Sequence, residues 1–396
     1  MPIQTPIYLD YHATTPVDSR VLEAMLPYFF KKFGNASSKT HAFGWEAEAA
    51  VENARLQVAS LLGAQKEEIY FTSGATESNN LAILGYARAN RERRNHLLSC
   101  VSEHSAVLDP LRHLTEEGFE VSFLSIDSQG KINLEELQKN LRPETLLISL
   151  MGANNEIGSL HPLEDLGKIA RQHGLAFHCD ATQALGKIKI DVEKMGIDLL
   201  SLSGHKIYGP KGIGALYVRS KNPKINMSPV IFGGGHEGGL RSGTLNVPGI
   251  VGLGEACEIA QREMDSENIR LKSLRDMFWQ QLQDKIEDVH LNGVLENRLT
   301  NNLNVRFDYV PVQQLMMEVR DLAFSAGATC TSVKAKPSHV LQALGLSKAE
   351  VEWSARFSLG RLTNEEEIAY ATQRIKEGVD KIRTSSIEYE MAKEEL

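Results

Sequence analysis

The feature that most constrains the fold of this chain is a regular alternation of short apolar runs and helical patterns between Tyr70 and Val218. The apolar runs, in chain order, are IYFTSG, HLLSCV, VSFLSI, TLLISLM, LAFHCDA, DLLSLSG and IGALYV. Helical segments such as Ser105 to Gly118 and Leu163 to His173 lie between them. Strands that alternate with helices predict an α/β fold with a mostly parallel sheet covered on both faces.

Helical patterns also flank this region. Apolar residues recur at helical spacing from Gly44 to Leu62, and Gly63 is placed to end that helix. A long amphipathic helix predicted from Glu255 to Ile286 leads into a smaller C-terminal α/β unit. We therefore predict a large domain over residues 15–260 and a small domain formed by residues 1–14 and 261–396.

Composition excludes several classes of protein. The 396 residues include 43 basic and 51 acidic side chains, and the net charge of −8 is spread along the chain, which argues against nucleic acid as a partner. The sequence contains no stretch of about 18 apolar residues, so no membrane span is predicted. The four cysteines are far apart in sequence, so neither a disulfide framework nor a zinc knuckle is predicted. Thiols without partners indicate a reducing compartment, and we expect a cytoplasmic protein.

The first polar feature is a small-residue turn after the first apolar run. Gly74, Ala75 and Thr76 lead into a helical pattern that continues from Asn79 to Ala89. Such a turn leaves backbone N–H groups free to hold a phosphate, with help from the helix dipole and the threonine hydroxyl. A capped turn without a ligand is the more common reason for this pattern, so the turn alone does not predict phosphate binding.

Two further strand ends carry reactive groups. Asp180 ends one apolar run, with Gln183 three residues later, and its carboxylate is suited to hold a charged pyridinium nitrogen or, alternatively, to cap a helix. Lys206 follows another run, where partial desolvation lowers the pKa of an amine and favours Schiff-base chemistry, although most lysines are solvated surface charges. Ser203 and His205 offer further phosphate donors. Because ligands bind beyond the carboxyl ends of parallel strands, these groups together predict a pyridoxal-phosphate site.

Motifs along nearly the whole chain strengthen this prediction. They are YLDYHATTPVD, FTSGATESNN, SEHSAVLD, NNEIG, DATQALGK, SGHKIYGPKGIGALY, GGGHEGGLRSGT, AGATCTS and RFSLGR. Through them the chain resembles cysteine desulfurases of the IscS/NifS type, in the class V branch of fold type I pyridoxal-phosphate enzymes. The resemblance implies a fold type I transferase with a smaller α/β C-terminal domain.

The resemblance also implies a role for each matching residue. Lys206 would bind pyridoxal 5′-phosphate covalently, Asp180 would pair with the ring nitrogen, and His104 would stack on the ring and transfer protons. Arg356, with Asn155, would hold the substrate carboxylate. The other cofactor contacts would come from Asn155 and Gln183 at the ring hydroxyl, from Ala75, Thr76, Ser203 and His205 at the phosphate, and from Thr244 supplied by the second copy in a homodimer.

Cys330 matches the nucleophile of this family. It lies in a segment of small and polar residues that ends at Pro337, a composition typical of an exposed, mobile loop. Nearby lysines would favour its thiolate. Cys100, Cys179 and Cys257 lie in apolar patterns instead, and strand alternation turns Cys179 away from the face that carries Asp180, so we expect all three to be packing residues.

The implied reaction removes sulfur from L-cysteine, gives L-alanine and leaves a persulfide on Cys330. The sulfur would pass to acceptors for iron–sulfur cluster assembly, and in some relatives to transfer-RNA or cofactor thiolation. A scaffold protein is an expected partner, although the chain ends earlier than many relatives whose longer C-terminal tail helps to dock it. The alternatives are a class V aminotransferase or selenocysteine lyase on the same scaffold, and a non-catalytic sulfur-assembly subunit.

Overall fold

The computed structural model describes residues 4–326 and 337–394 and is organised around a seven-stranded sheet. The strands of the described residues are β1 (Ile7–Tyr8), β2 (Ile69–Thr72), β3 (His96–Cys100), β4 (Glu120–Leu124), β5 (Thr145–Met151), β6 (Ala176–Asp180), β7 (Leu199–Ser203), β8 (Gly214–Val218), β9 (Val289–Leu291), β10 (Asn302–Phe307), β11 (Leu322–Ala323), β12 (Ser325–Ala326) and β13 (Ser354–Ser358).

The large sheet has the strand order β2-β8-β7-β6-β5-β3-β4. Only β8 runs antiparallel to its neighbours in this sheet, so the prediction of a mostly parallel sheet is confirmed. Every residue of β3, β5, β6, β7 and β8 is buried, because helices cover both faces. Met151 pairs with Asp180, and Asp180 pairs with Ser201, which brings the carboxyl ends of β5, β6 and β7 to one edge.

The helices give the layers on either side of this sheet and around the smaller one. They are α1 (Ser19–Met25), α2 (Pro27–Phe30), α3 (Ala42–Leu62), α4 (Ala75–Asn80), α5 (Tyr86–Ala89), α6 (Ser105–Glu116), α7 (Leu134–Asn140), α8 (Leu163–Gln172), α9 (Val247–Lys285), α10 (Val312–Glu318), α11 (His339–Ala343), α12 (Lys348–Glu352), α13 (Glu365–Thr384) and α14 (Ile387–Glu394). A π-helical turn, Leu81–Gly85, joins α4 to α5. None of the helices in the described ranges has the length and apolar character needed to cross a bilayer.

Helix α3 ends as the sequence predicts. Gly63 adopts a φ of 66°, and its N–H group donates to the carbonyl groups of Ala59 and Ser60. This left-handed conformation is the one that glycine adopts without steric cost, and it closes the last turn of the helix.

Helix α9 begins eight residues before the predicted start at Glu255. Glycines weaken the helical pattern in this first part, but they serve packing there. A Cβ atom on Gly254 would lie only 2.7 Å from the Cα atom of Ala54 on α3, so glycine allows the two helices to approach closely. Asn246 caps the new start, since its Oδ1 atom accepts from the Gly249 N–H group.

A second, antiparallel sheet has the order β12-β13-β10-β9, and β1 pairs separately with β11. One apolar core packs on one face of the large sheet, a second packs around this small sheet, and a third covers the other face of the large sheet. Helix α9 contributes Ile259 to the first core and Leu271 to the second. Ile7 and Leu9 pack in the second core, whereas Val340 packs in the first. The domain boundaries proposed from the sequence stay a prediction.

Candidate active site

A cavity of about 790 Å³ opens at the carboxyl edge of the large sheet. Ten of the residues singled out from the sequence line it: Ala75, Thr76, His104, Asn155, Asp180, Gln183, Ser203, His205, Lys206 and Arg356. Thr244 is exposed and does not line this cavity, and Cys330 lies outside the described residues. The chain therefore brings together groups that are spread over almost 300 positions of its sequence.

Lys206 lies in a short turn directly after β7. Its Nζ atom donates to the backbone carbonyl groups of His12, at 2.5 Å, and Ala13, at 2.8 Å. Burial, and then the positive charge of Arg356, lower the pKa of Lys206 from 10.5 to about 8. A sizeable fraction of this amine is thus neutral near physiological pH and available as a nucleophile or base.

Asp180 ends β6 and is only 5% exposed. Its Oδ2 atom accepts from Asn79 Nδ2 at 2.8 Å, and its Oδ1 atom accepts from the N–H and hydroxyl groups of Thr182. These bonds fix the carboxylate in place at the cavity wall. Asn79 is a site residue that the sequence reasoning missed, because an amide inside a helical pattern is usually solvated.

The turn between β2 and α4 has the form expected of a phosphate cradle. Gly74 has a φ of 149°, which only glycine adopts readily, and no side chain caps the start of α4. The leading N–H groups of that helix are therefore available to an anion. A Cβ atom on Gly214 would lie 2.7 Å from the Cα atom of Gly74, so β8 must also begin with glycine for the turn to fit.

Two histidines in the cavity are held in the neutral form. His104 accepts from the Ala106 N–H group at Nδ1, so the neutral ring carries its proton on Nε2, and burial lowers its pKa. Burial and the charge of Lys206 lower the pKa of His205 to about 4, and its Nδ1 atom lies 3.1 Å from Thr14 Oγ1. Each ring can therefore offer one N–H group as a donor.

Arg356 lies on β13 and reaches the cavity from the small sheet. Its Nη2 atom donates to Asp10 Oδ1 at 2.8 Å and to Ser325 Oγ at 3.1 Å, and its Nη1 atom donates to the Asn155 carbonyl at 3.0 Å. The Nε–H group of Arg356 is buried and has no partner among the described residues. This guanidinium therefore keeps an unused donor for a carboxylate.

The described residues on both sides of the segment that contains Cys330 form hydrogen bonds beside this cavity. Before it, Ser325 Oγ donates to Asp10 Oδ2 at 2.8 Å. After it, Ser338 Oγ donates to Glu156, and His339 Nε2 lies 2.9 Å from the Glu103 carbonyl oxygen. The described residues on either side of positions 327–336 thus both lie beside the cavity.

The other three cysteines are packing residues, as predicted. Cys100, Cys179 and Cys257 are each fully buried in the core around the large sheet, and none lines the cavity. Burial raises the pKa of Cys100 to about 11 and that of Cys257 to about 12, and it raises the pKa of Cys179 as well. All three are therefore held as inert thiols.

The residues present fit pyridoxal 5′-phosphate. The uncapped glycine turn suits its phosphate, the hydrogen-bonded carboxylate of Asp180 suits a protonated ring nitrogen, and the Lys206 amine suits its aldehyde. The buried Oδ1 atom of Asn79, next to this carboxylate, has no hydrogen-bond partner among the described residues. No group of three or more metal-ligating side chains occurs in the described parts of the chain.

Comparison with known proteins gives consistent matches over nearly the full length. The model of the family described as aminotransferase class-V matches residues 7–370. "Cysteine desulfurase IscS" of Anaeromyxobacter dehalogenans is 52% identical over 392 residues, which cover 99% of this chain and 97% of that protein. A solved structure called "NifS-like protein" superposes with a TM-score of 0.88 at 38% identity and covers 94% of this chain and 98% of its own. Another, "SspA in complex with cysteine", has a TM-score of 0.79 at 40% identity, with 89% and 98% covered.

Proposed function

Because this chain belongs to the aminotransferase class-V family, we propose that it is a pyridoxal-phosphate-dependent cysteine desulfurase that forms L-alanine and collects the sulfur as a persulfide on Cys330. The observation that carries the proposal is the convergence of ten predicted residues on one cavity, with Lys206 at the edge of the large sheet and Arg356 entering from the small sheet. The family and the fold expected from the motifs are both confirmed.

The cofactor would be held by Lys206, by Asp180 at the ring nitrogen and by the Gly74 turn at the phosphate. When bound, it withdraws electrons from the α-carbon of an amino acid. His104 and His205 contribute neutral N–H groups, and Ser203 contributes a hydroxyl group, at the wall of the same cavity. The chain thus supplies a donor or a charge for the aldehyde, the ring nitrogen and the phosphate of the cofactor.

Arg356 would bind the carboxylate of L-cysteine. Its guanidinium is presented in a fixed orientation by Asp10, Ser325 and the Asn155 carbonyl. With Nη2 engaged by Asp10 and Ser325, the positive charge and the free Nε–H group of Arg356 would bind the carboxylate. Binding at this point orients the α-carbon and the sulfur of the substrate toward the edge of the large sheet.

Lys206 and His104 would move the protons. The amine of Lys206 is partly neutral near pH 8 and can take the α-proton of the substrate at Nζ. His104 begins as a donor at Nε2, because its Nδ1 atom is engaged by the Ala106 N–H group. The ring must release that contact before it can accept the thiol proton of L-cysteine at Nδ1, the role implied by the family resemblance.

Sulfur transfer would take place at Cys330. Its thiolate attacks the sulfur atom of L-cysteine, so that an S–S bond forms while the Cβ–S bond breaks. The electron pair of the broken bond stays with the carbon skeleton, which takes up protons and leaves as L-alanine. The persulfide then passes to an acceptor, and an iron–sulfur scaffold protein is the first acceptor that we propose.

Replacement of Cys330 by serine tests this function directly. The Cys330→Ser protein, incubated with L-cysteine and no keto acid, should form no persulfide and should lose almost all alanine production. Cys257→Ala, a change at a core thiol, should keep the wild-type rate. If Cys330→Ser releases alanine and sulfide as fast as the wild type, the persulfide mechanism is wrong. If the wild type consumes L-cysteine only when a keto acid is added, and converts that keto acid to its amino acid without forming a persulfide, the protein is an aminotransferase instead.

A homodimer is the assembly that we propose. Thr244 is exposed and lies outside the cavity of its own chain, and Phe232, in the same loop region, is 80% exposed. Two ion pairs attach this region to helices of the same chain, Glu237 to Arg55 on α3 and Arg241 to Glu77 on α4. An anchored loop with an exposed aromatic side chain is suited to contact a second copy. Light scattering should give twice the mass of the chain, and Phe232→Glu should lower it.

We propose a cytoplasmic location for this enzyme. The chemistry supports it, because a thiol that carries sulfur must begin each cycle reduced, and the cytoplasm keeps thiols reduced. Fractionation of cells that express the tagged chain would test this proposal, and recovery from an oxidising compartment would contradict it.

A further inference from the structure

His12 is a buried residue of the cavity wall to which the reaction above gives no role. It is 1% exposed and contacts three of the residues predicted for the site. Its backbone carbonyl accepts from Lys206 Nζ at 2.5 Å and from Gln183 Nε2 at 2.9 Å. Its ring atom Nδ1 lies 3.2 Å from the carbonyl oxygen of Asn155. One residue thus contacts groups that follow β5, β6 and β7 at the carboxyl edge of the large sheet.

Neighbouring asparagines fix the ring of His12. Asn301 Nδ2 donates to the Leu359 carbonyl at 2.9 Å, which turns Asn301 Oδ1 toward His12 Nε2 at 3.2 Å. Because an amide oxygen only accepts, Nε2 carries the ring proton. Nδ1 is then free to accept from Asn302 Nδ2, which lies 3.3 Å away. Both ring nitrogens are satisfied in this neutral tautomer, and burial agrees with it by lowering the pKa of His12.

The ring stands beside the carbonyl group on which Arg356 rests. Arg356 Nη1 donates to the Asn155 carbonyl at 3.0 Å, and in the tautomer above His12 provides no proton to the same oxygen. Arg356 is therefore the donor to this carbonyl, while the ring of His12 fills the space next to it. Removal of the ring would leave the Asn155 peptide free to turn and would deprive Arg356 of one of its fixed contacts.

We propose that His12 is a positioning residue that sets Arg356, through the Asn155 carbonyl, for the carboxylate of the amino-acid substrate. This inference rests on the proposed role of Arg356 as the carboxylate ligand. Loss of the His12 side chain should therefore weaken binding of the substrate carboxylate. The backbone carbonyl of His12, which any residue would provide, remains the contact of Lys206.

The test compares ligands with and without a carboxylate. L-alanine and ethylamine differ only in that group, and calorimetry on the holoenzyme measures the dissociation constant of each without turnover. In His12→Leu we expect the dissociation constant of L-alanine and the KM of L-cysteine to rise about tenfold, with kcat within about threefold and ethylamine binding unchanged. His12→Asn keeps an acceptor for Asn302 Nδ2, so that a fixed side chain still stands beside the Asn155 carbonyl, and it should restore most of the loss.

Three further proteins make the result decisive. His161→Leu is the matched control, because His161 is buried, lies outside the cavity and has no hydrogen-bond partner at either ring nitrogen among the described residues, so L-alanine binding should not change. His12→Ala, which removes the ring, replaces His12→Leu if the latter does not fold. Equal losses for L-alanine and ethylamine, or no loss, in these His12 variants would overturn the proposal. Arg356→Lys separates the inference about His12 from the proposed role of Arg356. If this variant binds L-alanine as well as the wild type does, the role of Arg356 itself is wrong.

Discussion

The two sides of the cavity are built in different ways. Residues after neighbouring strands of one sheet, such as Asp180 and Lys206, form what we call the strand-end side. Asp10, Ser325 and Arg356 form the small-sheet side, and Asp10 and Arg356 are 346 positions apart. The first side is fixed by the register of a sheet, whereas the second depends on how distant segments pack. We infer that cofactor chemistry is placed on the rigid side and substrate recognition on the side that packing can adjust.

The two sides also differ in how fully their polar groups are hydrogen-bonded within the chain. The carboxylate of Asp180 receives three bonds from its own chain. Arg356 instead shares its charge with Asp10 and keeps Nε–H without a partner in the described residues. The strand-end side is therefore complete before a substrate arrives, and in the proposed function the substrate carboxylate would complete the small-sheet side.

The largest effect is expected on the strand-end side, from Lys206→Ala. Loss of the amine removes both the covalent attachment and the base, so alanine formation from L-cysteine should fall by roughly 10³-fold or more. The borohydride-reducible absorbance of the bound cofactor should disappear as well. Lys221→Ala, at an exposed position, should change neither. A reducible band that survives in Lys206→Ala would contradict the assignment of this lysine.

The next effect on the same side is expected from Asp180→Asn. The amide keeps the shape of the carboxylate but cannot balance a positive ring nitrogen, so kcat should fall by about 10²-fold while KM changes little. Asp127→Asn, at an exposed turn, serves as the control in the same steady-state assay. A fall in kcat of less than about threefold in Asp180→Asn would show that the two sides do not differ in the way described.

Arg356→Lys tests the small-sheet side. A lysine keeps the positive charge but loses the planar guanidinium with its free Nε–H donor, so we expect KM for L-cysteine to rise by roughly 10 to 100-fold with a smaller change in kcat. Arg306→Lys on the adjacent strand β10 is the matched control, since Arg306 pairs with Asp308 and Glu350 away from the cavity. A change confined to kcat would contradict the assignment of substrate recognition to the small-sheet side.

The smallest effect concerns pH and a buried amine behind the strand-end side. Burial, and then the charge of Lys206, lower the pKa of Lys187 from 10.5 to about 7. Between about pH 7 and 10.5 the folded chain thus binds fewer protons than the unfolded chain, so the stability of the wild type rises with pH relative to Lys187→Met. The melting temperature of Lys187→Met should exceed that of the wild type by the largest amount below pH 7. This difference should shrink toward pH 10.

Lys189→Met provides the control for this pH series, because the side chain of Lys189 is 75% exposed. Its melting temperature should follow that of the wild type at every pH. A Lys187→Met curve parallel to the wild type would show that Lys187 titrates normally.

The strand-end side was predictable from the sequence because its residues follow apolar runs that any parallel sheet must align. The small-sheet side was not predictable in this way. Arg356 came only from the resemblance, and Asp10 and His12 were quoted within a motif but received no role. Their partners lie more than 100 positions away, and β1, the strand that precedes them in the chain, has two residues, too few for a readable pattern.

Helix boundaries show the same limit. The glycines at the start of α9 look like helix breakers in the sequence, and neighbours in the fold explain them: Gly254 lies against Ala54 of α3, and Gly252 lies against Met25 of α1. Local propensity predicts an element where the chain alone decides its structure, and it fails where a neighbouring element decides.

Helix α9 also has a consequence for how the molecule unfolds. Its 39 residues make it about 58 Å long, and its side chains contribute to the cores around both sheets. Melting either core would remove the packing that stabilises the adjoining half of this helix, so the two cores share a cooperative unit. A chain with only one folded core, in which Lys206 is exposed and Arg356 is no longer held near it, is therefore rare. Heating should give one calorimetric transition.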